Sequence, residues 1–282
     1  GCGSSSSTPA ATTAAATEAA TTAAATAAAT DAATTEAAGD TAAAAKGTVK
    51  TPSGKFTVGF DQEFPPMGFV GDDGQFTGFD LDLAKEVASR LGLEFVPQPI
   101  NWDAKDMELD SGNIDCIWNG FTMQGREDAY TWVGPYMANN QVFVVTADSD
   151  IASKADLSGK AVEVQKDSSG LAALQGEAEL SASFGSMTEV ADYNTALMDL
   201  ESGACDAVCM DSIVAGYQIK SSGKDMKILD DTLAAEEYGI GFKKGEDELA
   251  KAVYDTLMAM KDDGTVAKIS NDWFGSDVFT LK

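Results

Sequence analysis

No histidine occurs in the 282 residues. Without imidazole there is no Ser-His-Asp triad, no His-ligated zinc and no histidine general base, so the commonest hydrolytic routes are excluded. Positive charge is scarce as well: 19 Lys and Arg stand against 45 Asp and Glu, a net charge of −26, and only Arg90 and Arg126 are arginines. A surface that binds nucleic acid needs clustered cations, so none is expected as a partner. An anionic lipid surface would repel the chain too. No apolar run reaches the 18 residues needed to span a bilayer.

Residues 8–45 hold 21 Ala and 11 Thr and no Leu, Ile, Val, Met or aromatic residue. Such a stretch buries too little to form a core and reads as a spacer, either a fraying helix or a coil. Before it stand Gly1-Cys2-Gly3 and a serine run. Four cysteines are present. Cys116, Cys205 and Cys209 cannot all pair with one another, and their apolar surroundings favour buried free thiols over a metal site. The remaining 236 residues are enough for one large domain or two lobes.

From residue 47 onward, strand and helix patterns alternate. The sequence predicts strands at 55–60, 94–96, 114–118, 142–146 and 161–164. Residues 79–92 read as a helix with Leu81, Ala84, Val87, Ala88 and Leu91 on one face, Asp80 suited to cap it and Gly92 to end it. Leu249, Val253, Leu257 and Met260 form a second helical stripe that stops near Gly264. The pattern is that of an α/β protein.

One internal similarity stands out. Residues 109–119 read LDSGNIDCIWN and residues 200–210 read LESGACDAVCM. In each, Ser-Gly ends a helix and, after two residues, an Asp precedes a buried strand. The first strand delivers Gly120-Phe121-Thr122 and the second Asp211-Ser212. Ligands of open α/β sheets bind outside the carboxyl ends of strands, so two such ends facing one another define a cleft. Arg126 offers a planar fork suited to a carboxylate, and Thr122 and its neighbouring backbone offer donors. Asp211, directly after an apolar strand, calls for a cation. One fixed positive and one fixed negative charge suit an amino-acid zwitterion. The bland alternatives are a surface ion pair of Arg126 with Glu127 or Asp128 and a helix-capping role for Asp211. Arg90 reads as a solvated charge at a helix end, and Trp118 as packing.

Together, VGFDQEFPPMGF, GFDLDLAKEVASRLG, NGFT with Arg126 behind it, GPY, MDSIVAGY and EYGIGFKKGEDEL resemble the extracellular solute-binding proteins of polar amino-acid ABC transporters. The resemblance covers nearly all of 55–275. It implies a periplasmic-binding-protein-like fold of two α/β lobes joined by two hinge strands, near Ala138–Val142 and Ala235–Tyr238. Lobe one is then 47–139 with 239–282, lobe two 140–238, and 1–46 a tether. The cleft would hold a polar or cationic amino acid for a membrane permease. Thr122 and Arg126 resemble the carboxylate binders, with Gly120 offering backbone, and Asp211 resembles the ammonium partner. Phe64 and Trp102 look like aromatic walls, although core positions fit them equally. Asp61 looks like the side-chain reader, beside Glu63, whereas Asn119 and Gln165 would favour a neutral polar group. Ser168 and Ser169 stand where the family often supplies N–H and hydroxyl donors. The turn from Thr122 to Arg126 is one residue shorter than is common in the family.

The N-terminus resembles a bacterial lipoprotein after removal of its signal peptide, with lipid on Cys2, so the expected protein is a monomer anchored at the extracellular face of the membrane. A tethered sensor subunit for a membrane receptor is an alternative, and a cyclohexadienyl-dehydratase-like enzyme on the same fold a more remote one. No cofactor or metal is expected. With histidine absent, the affinity for ligand is expected to be nearly flat between about pH 5.5 and 8.

Overall fold

The computed structural model describes residues 49, 51 and 53–282; Cys2 and the 8–45 spacer lie outside them. The first half begins with β1 (Lys55–Phe60), followed by three short strands, β2 (Glu63–Phe64), β3 (Gly68–Val70) and β4 (Phe76–Thr77), which make a small antiparallel sheet of their own. Next come α1 (Phe79–Arg90), β5 (Glu94–Pro99), α2 (Lys105–Asp110) and β6 (Cys116–Thr122). The second half holds β8 (Ala161–Gln165), α3 (Ser169–Gly176), α4 (Ala178–Ser183), β9 (Ser186–Val190), α5 (Tyr193–Ser202), β10 (Ala207–Asp211) and α6 (Ser212–Lys220). Two long strands, β7 (Thr131–Thr146) and β11 (Met226–Phe242), run through both halves, and α7 (Asp247–Asp262) and α8 (Thr265–Phe274) return to the first.

In the first half β1 pairs in parallel with β5 and β6, and in the second β8 pairs in parallel with β9 and β10. The antiparallel ribbon of β7 and β11 links them, giving the order β5-β1-β6-β11-β7-β10-β8-β9. Strands covered on both faces are apolar except where they reach the site, at Asn119 and Thr122 of β6 and Asp211 of β10, and every residue of both strands is buried. Alternation sorts β7: Val142 and Val144 join one core, Phe143 and Val145 another on the opposite face. Full burial of each such side chain contributes roughly 1.5–3 kcal/mol.

Helix α1 shows why pattern and boundary can part company. Its apolar face is buried as expected, but it begins after Gly78, at φ 142°, where a Cβ would lie 2.2 Å from the Met67 carbonyl oxygen. Asp80 therefore falls inside the first turn, fully buried, and does not cap. Arg90 is also unlike its expectation: it is buried, 2.9 Å from Glu86 and 2.8 Å from Asp263, and donates to Thr265 Oγ1, tying α1 to the turn between α7 and α8. The stripe on α7 is buried as read, with Val253, Leu257 and Met260 wholly inaccessible. Trp118 packs in the core. Cys116, Cys205 and Cys209 are buried free thiols, and burial pushes all three up from the ordinary thiol range.

Candidate functional site

The strand register assembles the site. At the end of β6, Thr122 is paired with Tyr238 of β11; at the end of β10, Asp211 is paired with Gln141 of β7. Within the ribbon Glu236 lies opposite Asn139. Both strand ends therefore arrive at the same short stretch of ribbon, and the residues between them form its back wall.

One pocket there is lined by all eleven residues read as ligand-binding, from Asp61 in the first half to Asp211 in the second. Its walls nearly touch. The free volume is about 10 Å³, the room of a single water, so an amino acid enters only if the lobes part.

Arg126 does not pair with Glu127 or Asp128. Its Nη1 donates to the Thr122 carbonyl at 3.0 Å and its Nη2 to the Asp167 carbonyl at 3.2 Å, with the guanidinium 4.8 Å from the Phe121 ring centre. Asp211 occupies the N-cap position of α6 but makes no capping bond. Its oxygens accept instead from Gln141 Nε2 at 2.8 Å, Asn139 Nδ2 at 3.1 Å and Tyr238 OH at 2.6 Å. Burial, and next the neighbouring Glu236 carboxylate, push Asp211 up to about 7. Burial likewise lifts Asp61 to about 6. Absence of histidine therefore does not make the cleft insensitive to pH, because two of its carboxylates titrate where histidine would.

Gly120 is placed by Asp80. The Gly120 N–H donates to Asp80 Oδ2 at 2.6 Å, while Tyr136 OH donates to Oδ1 at 2.7 Å. The Gly120 N–H is therefore not free to donate to a ligand. Its φ of 54° and the Phe64 and Tyr238 rings, 3.0 and 3.1 Å from where a Cβ would stand, account for glycine here.

Other expected roles shift. Asn119 braces the site from beneath: its Oδ1 accepts from the Asp61 N–H at 3.0 Å. Gln165 reaches across the cleft, donating to Asp61 Oδ2 at 2.8 Å. Ser168 caps α3, accepting from Leu171 N–H, and gives its proton to the Gln165 carbonyl. Ser169 donates to Glu236 Oε1 at 3.1 Å, and Thr122 donates to the same oxygen at 2.7 Å. Phe64 and Trp102 are both walls and packed residues: Phe64 faces Tyr193, and Trp102 meets Phe121 edge on.

At the rim, Asp167 collects donors from the opposite half. Its carbonyl accepts from Trp102 Nε1 at 3.1 Å as well as from Arg126, and its carboxylate forms an ion pair with Lys105, a buried lysine lying over the Trp102 ring. Asp167 is the one non-glycine at positive φ among the described residues. Lys105, Asn139, Gln141, Asp167 and Glu236 are site residues that sequence reasoning missed. For the ribbon residues a signal existed: Asn139 and Gln141 are spaced by two, as are Glu236 and Tyr238, so each pair shares one face of its strand.

The sequence profile of bacterial extracellular solute-binding proteins, family 3, matches residues 56–276. The chain belongs to this family. It is 32% identical over 231 residues to the L-cystine-binding protein TcyJ of Escherichia coli, covering 80% of this chain and 84% of the relative. Its fold matches that of an ABC uptake transporter substrate-binding protein from Streptococcus pneumoniae with bound histidine, at a TM-score of 0.78 and 34% identity, over 81% of this chain and 95% of the other. The arginine-, lysine-, histidine-binding protein ArtJ of Geobacillus stearothermophilus matches at a TM-score of 0.71 and 30% identity, over 79% and 96%. The two-lobe architecture is thus that of amino-acid-binding components of ABC importers, and these relatives are binding proteins rather than enzymes. Among the described residues no helix is long and apolar enough to cross a membrane.

Proposed function

We propose that this protein captures a polar or cationic free amino acid between its lobes and presents it to an ABC permease. The observation that carries the reading is the arrival of Arg126, from beyond β6, and Asp211, from the end of β10, in one pocket. Arg126 takes the α-carboxylate, Asp211 takes the α-ammonium, and Asp61 reads the side chain between Phe64 and Trp102. Relatives named for cystine, histidine and arginine support a free amino acid as the ligand.

The lobes divide at the ribbon, 47–139 with 239–282 on one side and 140–238 on the other. The register shifts of β11 against β7 between Thr232 and Ala234 and between Tyr238 and Ile240 bracket the bending segment. Cys2 carries the lipid, the 8–45 spacer separates anchor from fold, and the protein works as a monomer at the extracellular face. Mass spectrometry of the small molecule that co-purifies, with titration calorimetry against the amino acids, tests the reading. A specific amino acid with a contraction of the radius of gyration on binding is expected. A protein that binds none of them refutes it. Release of a Cys2→Ser variant from cells, with unchanged affinity, tests the anchor.

A further inference from the structure

The ribbon brings to the cleft a charge that the two strand ends do not account for. Glu236 of β11 is 7% exposed and Asp211 is 3% exposed. Glu236 Oε1 accepts from Thr122 Oγ1 at 2.7 Å, Asn139 Nδ2 at 2.8 Å, Gln141 Nε2 at 2.7 Å and Ser169 Oγ at 3.1 Å. The same two amides also serve Asp211, Gln141 at 2.8 Å and Asn139 at 3.1 Å. Two carboxylates bridged by two shared amides lie side by side at the back of the cleft.

A hydroxyl has one proton to give. Thr122 and Ser169 give theirs to Glu236, so neither is left to donate to a ligand carboxylate. A negative ligand group meets Arg126 alone, which spends two of its five N–H donors on backbone carbonyls and keeps the others. Lys105, the buried cation at the rim, is paired with Asp167. A positive ligand group meets Asp211 in the pocket lining, with Glu236 behind it and behind Thr122 and Ser169, and the hydrogen-bond partners of this pair are all neutral: two amides, two hydroxyls and the Tyr238 phenol. Neutral donors lower the cost of burying a carboxylate but supply no countercharge. Arg126 acts on both carboxylates as a countercharge, but one cation against Asp211, Glu236 and Asp61 leaves the cleft net negative, and the balancing charge is the ligand's.

We propose that Glu236 is a second cation-reading carboxylate beside Asp211, and that the pair makes this cleft select amino acids of net positive charge over neutral and anionic ones of similar size. The proposal rests on the amino-acid reading above and names the substrate class of that site. A fixed charge acts along the whole length of a small ligand in a low-dielectric cleft, so Glu236 favours a cationic side chain even though Asp61 is the group nearest it.

Calorimetric titration of the parent and of Glu236→Gln with L-arginine, L-lysine, L-glutamine and L-glutamate tests this. Glutamine keeps the length of the side chain and an acceptor oxygen for Thr122 and Ser169. The parent is expected to bind arginine or lysine about tenfold or more tightly than glutamine, and the folded variant to lose about tenfold for the cationic pair but about threefold or less for glutamine. An unchanged ratio, or a parent that prefers glutamine or glutamate, overturns the proposal and leaves the amino-acid reading standing. A parent that binds no amino acid overturns both. If the variant does not fold, the unmodified protein decides. Agmatine, which is arginine without its carboxylate, should bind more tightly than δ-guanidinovaleric acid, which is arginine without its α-ammonium; the reverse order overturns the proposal.

Discussion

In the first half of the molecule Asp115 accepts from the Thr57 N–H at 2.7 Å and returns its own N–H to the Thr57 carbonyl at 2.8 Å. In the second half Asp206 does the same with Ala161, at 2.9 and 2.8 Å. Each pair is preceded by a helix that ends on a glycine at φ 82°, Gly112 or Gly203, and each launches a wholly buried strand parallel to its partner. The frames are alike and the deliveries differ. The strand β6 holds a left-handed Gly120, pinned by Asp80, two residues before its end at Thr122, and the chain beyond it brings Arg126. The strand β10 ends directly on a carboxylate, with no comparable turn. A repeated frame can thus present opposite charges to one cleft by changing only the residues beyond the last strand pair.

The sharpest way to break the comparison is to remove each delivered charge. Arg126→Ala and Asp211→Ala should each weaken amino-acid binding by roughly 2–5 kcal/mol, about thirtyfold to several thousandfold, because the partner charge is left desolvated. Calorimetry on variants with parental circular dichroism measures this, and parental affinity in either would dissolve the assigned roles.

The next effect concerns protons. A ligand cation favours the ionised forms of Asp211 and Asp61, which burial holds near 7 and 6. Binding below about pH 7 should therefore expel protons, with affinity falling by up to about tenfold per pH unit for each proton released. Titrations in buffers of different ionisation heat count those protons directly.

Stability without ligand should show the opposite slope. Asp61, Asp80 and Asp211 are all raised from 3.8 by burial, so the folded state holds more protons than the unfolded one between that value and about 7. Their contribution is neutral below the window and increasingly destabilising through it, so the melting temperature should fall as pH rises from 5 to 7.5 and then level off. Growing self-repulsion of a chain with net charge −26 acts in the same direction. A melting temperature that climbs over this interval would contradict the assignment.

Asp80→Asn sharpens the asymmetry between the strand ends. It should cost about 1–3 kcal/mol of stability by weakening the anchorage of Gly120 and Tyr136, and it should loosen ligand binding as well. The matched pair Asp115→Ala and Asp206→Ala should show the smallest effects, about 0.5–1.5 kcal/mol each, with ligand affinity untouched. Differential scanning calorimetry with parallel titrations separates the two classes.

Local patterns carried much of this architecture into plain view. The β1 strand, the α1 and α7 stripes and the duplicated Ser-Gly frame were legible because each is encoded within about a dozen residues. The ribbon was legible only through the family resemblance, which placed hinge strands near Ala138–Val142 and Ala235–Tyr238. Local pattern showed β7 only from 142, because Gly134 and Pro135 interrupt it; in the fold they lie in the gap between the Val133 to Ile240 and Met137 to Tyr238 pairs. The strand β11 contains Asp230, Asp231, Glu236 and Glu237 and buries its residues in an irregular order, so it carries no apolar alternation to detect. Those stretches were read as hinge and not as cleft wall, so Glu236, Gln141 and Asn139 had no place in the site, and the donors Thr122 and Ser169 were left for the ligand alone. Asp80 was misread for a similar reason. Its partner Gly120 lies forty residues away, and only the packing of α1 against β6 brings them together.

The bonds to Asp167 have a further consequence for how such a protein diversifies. Lys105 grips the Asp167 carboxylate from outside the pocket lining, whereas Trp102, which donates to the Asp167 carbonyl, also walls the cleft. Whatever the strength of the Lys105 clasp, it is the same for every cargo. Strength of closure and choice of cargo are thus written in different residues, so mutations at Asp61 or Glu236 can change the guest while the grip stays constant, and mutations at the rim can change how long any guest is held.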